Sequence, residues 1–429
     1  MGRISVAPMM GWTDKHMLRL LQLVAPRVQL YTQMVNCAEV VHGERERLQR
    51  AHGGVNRAGV RRVALQLGGR DPAMMGAAAA ECVERFGYGE ININVGCPSG
   101  RVASGSFGAA LMREPERVGA CADAIAEHCA ARSLALPGGV TVKCRLGVRS
   151  PSDCIAAESD AESARIDASV RTFVATVAES GVVTSFVVHA REAVLGGLGA
   201  STSRRTAGRF DPSYNRTVPP LHHSAVGRLA RDFPKLLIEA NGGLTTLRAA
   251  ADLVGEWPAL NGVMLGRAAM ADPFVLREAL DAVSAERVWG ASNGSAAAAL
   301  DVGDGGGGGD EADTVAEDGY SLLGAKNDAA RGYADYVEGS ARRGLTTPDA
   351  SAHALVRPAM NLFASMPGAR RYRRSLAAAA VDGSAIHTAP ERASAVADSV
   401  RRAVDELQVD VAAAVANAAA SDSWAANNC

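Results

Sequence analysis

Eight short runs of apolar, mostly β-branched residues recur along the first 265 positions of this chain, at residues 4–9, 30–35, 63–68, 90–95, 140–146, 185–189, 236–240 and 262–265. Between most of them lie Ala-rich stretches with helical spacing, such as residues 73–86, 115–131 and 168–180. Eight strand–helix units in succession are what a closed (β/α)8 TIM barrel, an α/β fold, requires. An open doubly wound sheet is the competing arrangement. It would carry a Gly-rich dinucleotide fingerprint after its first strand, and Pro8-Met9-Met10-Gly11 is not one.

Three stretches interrupt the pattern. Residues 147–167 and 196–220 are long polar loops after the fifth and sixth strands, and in a barrel both emerge at the C-terminal mouth, where functional loops belong. The third, residues 290–319, holds the run Gly305 to Gly309 and the acids Asp301, Asp304, Asp310, Glu311, Asp313, Glu317 and Asp318, and reads as a disordered linker. Helical composition resumes at residues 327–343, 353–363, 369–380 and 390–420, broken at Pro348 and Pro367-Gly368. The expected organisation is a TIM barrel over 1–289, an acidic Gly-rich linker over 290–325, a small all-helical domain over 326–420, and a tail over 421–429.

With 429 residues, 48% of them hydrophobic, a large core is within reach, yet no apolar run attains the roughly 18 residues that span a bilayer. The chain enters a strand almost at once, so no signal peptide is expected. Eight cysteines without framework spacing suggest a reducing compartment: the cytoplasm, or an organelle if the natural N-terminus extends further. A formal net charge of −1 excludes a protein that coats nucleic acid by bulk charge. The acidic linker offsets basic residues elsewhere, so a local basic patch is compatible with that total.

Asn241-Gly242-Gly243 follows the seventh run directly and Gly266-Arg267 the eighth, the two places where a parallel barrel commonly cradles a phosphate. Glycines also simply end strands, so either motif alone is weak. Gln66, Lys143 and His189 sit within or at the end of otherwise apolar strands. A lysine there is costly unless something anionic needs it. A reduced flavin meets that need: Lys143 would stabilise the negative charge at N1 and the C2 oxygen, and Gln66 can both donate and accept along the ring's amide edge. His189 would bond the phosphate or ribityl chain. Asn92 and Asn94 share parity, so both face one side of their strand. If that side is the lumen, Asn94 and Cys97 lie over the cofactor. Cys97 stands alone, its neighbours Cys82 and Cys121 far outside C-x-x-C spacing, and no metal-ligand pattern is present. A lone cysteine is commonly a small buried hydrophobe, and strand-end asparagines often just cap turns.

Taken in order, Ser5-Val6-Ala7-Pro8-Met9 with Trp12-Thr13-Asp14, Ala64-Leu65-Gln66-Leu67-Gly68-Gly69, Asn92-Ile93-Asn94-Val95-Gly96-Cys97-Pro98-Ser99, His189-Ala190-Arg191, Asn241-Gly242-Gly243 and Gly266-Arg267 resemble the tRNA-dihydrouridine synthases. The resemblance runs from residue 4 to about residue 276 and resumes over residues 357–376. There Pro367-Gly368-Ala369-Arg370-Arg371-Tyr372-Arg373-Arg374 looks like the C-terminal signature of the A subfamily, as does Asn215-Arg216-Thr217-Val218-Pro219-Pro220-Leu221. Departures are Gly100 where an acid often follows the Cys-Pro-Ser turn, Ala110 for a usual cysteine, Tyr372 for a usual tryptophan, and a longer loop over 198–214.

The resemblance implies FMN as cofactor, NADPH as its reductant and tRNA as partner. Hydride would go to uracil C6 and a proton from Cys97 to C5, at positions 20 and 20a of the D-loop. The acid role needs a protonated thiol, the ordinary state of a cysteine at neutral pH. By family position FMN contacts fall to Pro8, Met9, Met10, Gln66, Lys143, His189, Asn241, Gly242, Gly243, Gly266 and Arg267. Those of tRNA fall to Asn94, Tyr214, Arg216, Thr217, Arg371 and Arg374. A monomer without metal is expected. Two other readings stand beside this one: an FMN-dependent reductase of a free pyrimidine or other small enone, and an RNA-binding or RNA-folding protein without essential catalysis.

Overall fold

The computed structural model describes residues 2–56, 63–98, 107–150, 159–195, 215, 219–277, 311–344 and 351–427. It divides into two compact units. The first gathers residues 2–14 and 27–268. The second takes residues 15–26, 269–277 and everything described from 311 onward.

The first unit is a parallel β-barrel. Its strands are β1 (Arg3–Val6), β2 in two segments (Gln29–Tyr31 and Val35–Asn36), β3 (Val63–Gly68), β4 (Glu90–Val95), β5 (Gly139–Arg145), β6 (Val183–His189), β7 (Leu237–Asn241) and β8 (Gly262–Leu265). Each pairs with its neighbour in parallel, β8 pairs with β1, and β2 pairs with β3, so the sheet closes on itself with no free edge. Seven of the eight expected strands form continuously. The second does not: Tyr31 lies opposite Ala64 but Val35 opposite Leu67, so three residues of β2 face two of β3. The bulge coincides with a change of acceptor. The backbone N–H of Gln66 donates to the Thr32 hydroxyl at 3.1 Å instead of to a ladder carbonyl.

Helix ends follow from their sequence. In the helix Pro72–Phe86, Asp71 accepts from the Met74 N–H, Pro72 occupies the first turn, and Gly87 closes the helix at φ 69°. Ser159 and Thr246 cap Asp160–Val177 and Leu247–Glu256 in the same way. A two-stranded ribbon, Val148–Arg149 against Ala193–Val194, stands on the loops after β5 and β6.

The second unit is helical, with Lys15–Val24, Glu311–Arg342, Ala352–Val356, Ala369–Ser384 and Ala389–Asn427. Its core includes Tyr333, Leu355, Phe363, Tyr372, Leu376, Val400 and Leu407. Two boundaries differ from expectation: helix begins at Glu311, inside the segment read as linker, and the last helix runs to Asn427, through most of the segment read as tail. Residues 278–310 lie outside the described residues. No described helix is long and apolar enough to cross a membrane.

Candidate active site

Alternate residues of the strands point into the barrel, and in this chain many of them are polar. At the N-terminal end of the barrel, Arg3 donates to Glu90 Oε2 at 2.5 Å and to the Tyr31 hydroxyl at 3.1 Å, and pairs with Glu239 at 3.4 Å. Ser5 and Tyr31 donate to Glu239 and Glu90 in turn. Burial pushes the Glu239 carboxyl up to about 7 against the opposing pull of Arg3 and Ser5.

Nearer the C-terminal ends of the strands the charges change character. Lys143 on β5 donates from Nζ to Asn241 Oδ1 at 2.9 Å, and Asn241 donates from Nδ2 to the Met264 carbonyl at 2.8 Å. The first residue of the Asn241-Gly242-Gly243 turn therefore aims the lysine. Burial brings Lys143 down to about 8, and the neighbouring Arg145 adds to the shift, while Cys144 and Cys97 oppose it. His189, at the end of β6, is held well below the usual histidine range by burial and then by Arg145, Lys143, Arg191 and His223. Burial and Arg267 lower Arg191 likewise. Among the described residues Lys143, Arg191 and Arg267 form no ion pair with a carboxylate. A cluster of cations that lower one another carries positive charge in excess, and an anion relieves it.

The backbone fits an anion too. Gly242 and Gly243 adopt φ 113° and 74°. A Cβ on Gly242 would lie 3.2 Å from His189 Cε1, and one on Gly243 would lie 2.5 Å from Leu221 Cδ1, so the turn needs glycine at both positions. His189 Nδ1 is buried without a hydrogen-bond partner in the protein, which fits an acceptor or donor on a bound group. The Gly242 carbonyl meets His223 Nε2 at 2.7 Å. A Cβ on Gly266 would meet only Ala7 Cβ at 3.8 Å and Met9 Sδ at 4.0 Å, and Arg267 opens the helix that follows it. Met9 packs on Ala7, Tyr31, Ala64, Val187 and Met264, whereas Met10 is 57% exposed. Pro8 is partly buried, next to Ala7, whose N–H makes the last bond to β8. Residues 9–13 form a tight turn, with Trp12 and Thr13 N–H on the Met9 carbonyl and Gly11 N–H on Gln33 Oε1.

Cys97 caps β4 on the same rim. The Asn94 Oδ1 accepts from the N–H groups of Gly96 and Cys97, at 3.1 and 3.0 Å. Its Nδ2 donates to Gln66 Oε1 and to Met34 Sδ, both at 3.1 Å. Both ends of the Asn94 amide are thus engaged inside the protein, where they hold the cysteine turn. Cys97 is partly exposed, while Cys37, Cys82, Cys121, Cys129 and Cys144 are buried free thiols. Burial pushes Cys82, Cys121 and Cys144 up to about 12. Among the described cysteines Cys97 is therefore the accessible one.

Sequence reasoning passed over Arg145. It shares the lumen parity of Lys143, which was the available signal, and it donates to the carbonyls of Gly96, Glu192 and Asn215 at 2.9, 3.0 and 3.0 Å. Asn215 is fully buried and binds both backbone groups of Val194 through its amide. Tyr214, Arg216 and Thr217, its neighbours in sequence, lie outside the described residues.

In the helical unit the arginine cluster sorts into two kinds. Arg371 is paired with Glu406 at 3.5 Å and Asp410 at 3.1 Å. Arg370 and Arg374 are exposed, one turn apart, with no ion pair among the described residues. Tyr372 is buried, stacked edge-on against Phe363, with its hydroxyl on the Ala359 carbonyl. It is a core residue, not an aromatic face among the cations.

With this geometry in place, comparison with known proteins is informative. The family model described as dihydrouridine synthase (Dus) matches residues 5–298. The tRNA-dihydrouridine(20/20a) synthase of Xylella fastidiosa is 41% identical over 283 residues, covering 66% of this chain and 73% of that protein. Proteins of the same name from Xanthomonas axonopodis pv. citri and Salmonella typhimurium are 37% and 34% identical over 375 and 377 residues. Each covers 87% of this chain, and this chain covers 87% and 89% of them, so the similarity extends beyond the family-model match into the helical unit.

Proposed function

We propose, on the premise that this chain belongs to the dihydrouridine synthase family, that it reduces the C5–C6 double bond of uridine in tRNA, at positions 20 and 20a of the D-loop. The observation that carries the reading is the joint geometry of the rim: an anion cradle of glycines and cations on β7, β8 and β6, and the accessible thiol of Cys97 on β4.

The cradle suits FMN. Gly242, Gly243, Gly266, Arg267 and His189 would hold its phosphate, with Pro8, Met9 and Met10 along the same rim. Arg191, which the sequence reading quoted but gave no role, belongs with them on its electrostatics. Lys143, aimed by Asn241, would stand where the reduced ring gathers charge, and Gln66 would meet its amide edge. FMN held there, with NADPH as its reductant, would supply the hydride for uracil C6.

The protein's own part is to position, exclude water and deliver a proton. Cys97 Sγ–H gives its proton to uracil C5, and the thiolate that results is reprotonated from water, which completes the addition of two hydrogens across the double bond. Asn94 and Arg145 fix the turn that carries this thiol. A uridine buried in tRNA must leave its stack to reach a barrel mouth, so a separate surface has to grip the RNA. Arg374 and Arg371 of the helical unit, and Tyr214, Arg216 and Thr217 next to Asn215 in sequence, are assigned that task. Free thiols throughout the described cysteines accord with a cytoplasmic setting.

The test is position-by-position measurement of dihydrouridine in tRNA from a synthase-deficient host, incubated with the protein, FMN and NADPH. Dihydrouridine at 20 and 20a, lost by roughly 100-fold or more in Cys97→Ala with FMN content unchanged, is the expected result. A flavoprotein that oxidises NADPH and leaves tRNA unaltered would instead be a reductase of a small enone.

A further inference from the structure

Five side chains from three adjacent strands are linked head to tail inside the barrel. Asn94 Nδ2 donates to Gln66 Oε1 at 3.1 Å, Gln66 Nε2 to Asn92 Oδ1 at 2.8 Å, Asn92 Nδ2 to Thr141 Oγ1 at 2.9 Å, and Thr141 Oγ1 to Glu90 Oε1 at 3.0 Å. All five residues are buried, none more than 6% exposed.

The direction of this chain is forced from both ends. At the rim, the N–H groups of Gly96 and Cys97 can only donate, so Asn94 must turn its oxygen toward them and its nitrogen toward Gln66. At the other end, Glu90 already accepts from Arg3 and Tyr31 and offers Thr141 an acceptor. The Thr141 hydrogen is thereby committed to Glu90, and its oxygen must accept from Asn92. Each end implies the same orientation for the two amides between them. Turning either amide over strands a buried donor against a donor and an oxygen against an oxygen.

We propose that Asn92 and Thr141 are positioning residues of the active site: through this one-way chain they brace, from the Glu90 side, the orientation in which the Gln66 amide is presented to the flavin and the Cys97 turn is held. The inference rests on the flavin reading of the barrel given above. In the forced orientation Gln66 keeps one Nε2 hydrogen and one Oε1 lone pair beyond the chain, a donor and an acceptor in fixed places. Without the Thr141 hydroxyl, Asn92 Nδ2 loses its acceptor, and the orientation of both amides is no longer dictated from the Glu90 side.

The decisive pair is Thr141→Val, which removes the hydroxyl at nearly constant volume, and Thr141→Ser, which keeps it. Asn92→Leu removes the centre of the chain. In the holoprotein the readouts are the reduction potential of the bound flavin and kcat and KM for tRNA. In the flavin-free protein the readout is the rate at which iodoacetamide alkylates Cys97, followed by peptide mapping. Thr141→Val is expected to shift the potential, change the alkylation rate by roughly threefold or more, and lower kcat by roughly tenfold at unchanged KM, the scale of one misplaced hydrogen bond. Thr141→Ser is expected to restore all three. A wild-type potential and alkylation rate in Thr141→Val would overturn the proposal. If Asn92→Leu does not fold, the threonine pair decides alone. Should the wild-type protein bind no flavin or leave tRNA unreduced, the functional reading fails instead, and Cys97 alkylation still decides the chain.

Discussion

The two ends of the barrel lumen use charge in opposite ways. At the N-terminal end one guanidinium, Arg3, stands between two buried carboxylates, Glu90 and Glu239, with Tyr31 and Ser5 completing the bonds. Their opposing charges raise Arg3 and hold down the rise of Glu239. At the C-terminal end Lys143, Arg191 and Arg267 gather without a carboxylate partner among the described residues, and cationic neighbours depress Lys143, Arg191 and His189 beyond what burial does. Charges compensated within the protein serve the fold. Charges left in excess are kept for something that arrives from outside.

Four perturbations test this contrast. The largest effect belongs to the compensated end: Arg3→Met leaves two buried carboxylates facing each other and is expected to cost about 3 kcal/mol in urea unfolding, with FMN affinity of the folded protein unchanged. A variant as stable as wild type would remove the distinction. Arg267→Met should do the reverse, weakening FMN binding by roughly tenfold to a hundredfold, the range for a charge-assisted contact, while the melting temperature stays level or rises.

The third is a pH effect. Lys143 has a folded value of about 8 against an ordinary 10.5, so its protonated form burdens the flavin-free fold below pH 8. That burden lifts as pH climbs from about 8 to 10.5, because across this window the unfolded chain binds the proton and the folded one does not. The anionic ring of reduced FMN favours the protonated lysine. The preference for reduced over oxidised FMN should therefore fall as pH rises above about 8 in wild type and stay flatter in Lys143→Met, as read by the reduction potential of the bound flavin relative to free FMN.

The smallest effect lies in the helical unit, where the same contrast recurs between neighbours. Arg374→Ala should lower tRNA affinity about two- to fivefold and reduce the salt slope by about one. Arg371→Ala, whose charge is shared with Glu406 and Asp410, should do less. The opposite ranking would make the paired arginine the RNA contact.

Much of this architecture is readable from the residues. Strands with one apolar rhythm and Gly-rich turns at their C-terminal ends are local features, so β3 to β8 and the turns at Asn241-Gly242-Gly243 and Gly266-Arg267 fall where periodicity places them. What escaped depends on contacts distant in sequence. The break in β2 lies where the Thr32 hydroxyl, in place of a β2 ladder carbonyl, accepts from the Gln66 N–H of β3. Arg145 looks like an ordinary strand-end cation until its three carbonyl partners, 47 to 70 residues away, are brought to it. Arg371 resembles Arg374 in composition, and only the packing of the last helix shows its two acids. The parity of Asn94 says nothing of its partners, Gln66 and the cysteine turn, which only the fold brings to it.

The most direct test of the central claim, that the uncompensated rim of the barrel is built for the phosphate of a flavin, is parallel titration of the flavin-free protein with FMN and with riboflavin, which differ only in that phosphate. FMN is expected to bind at least about 100-fold more tightly, with Arg267→Met erasing most of the difference and leaving riboflavin affinity unchanged. Equal affinities for the two flavins in the wild-type protein would contradict the account.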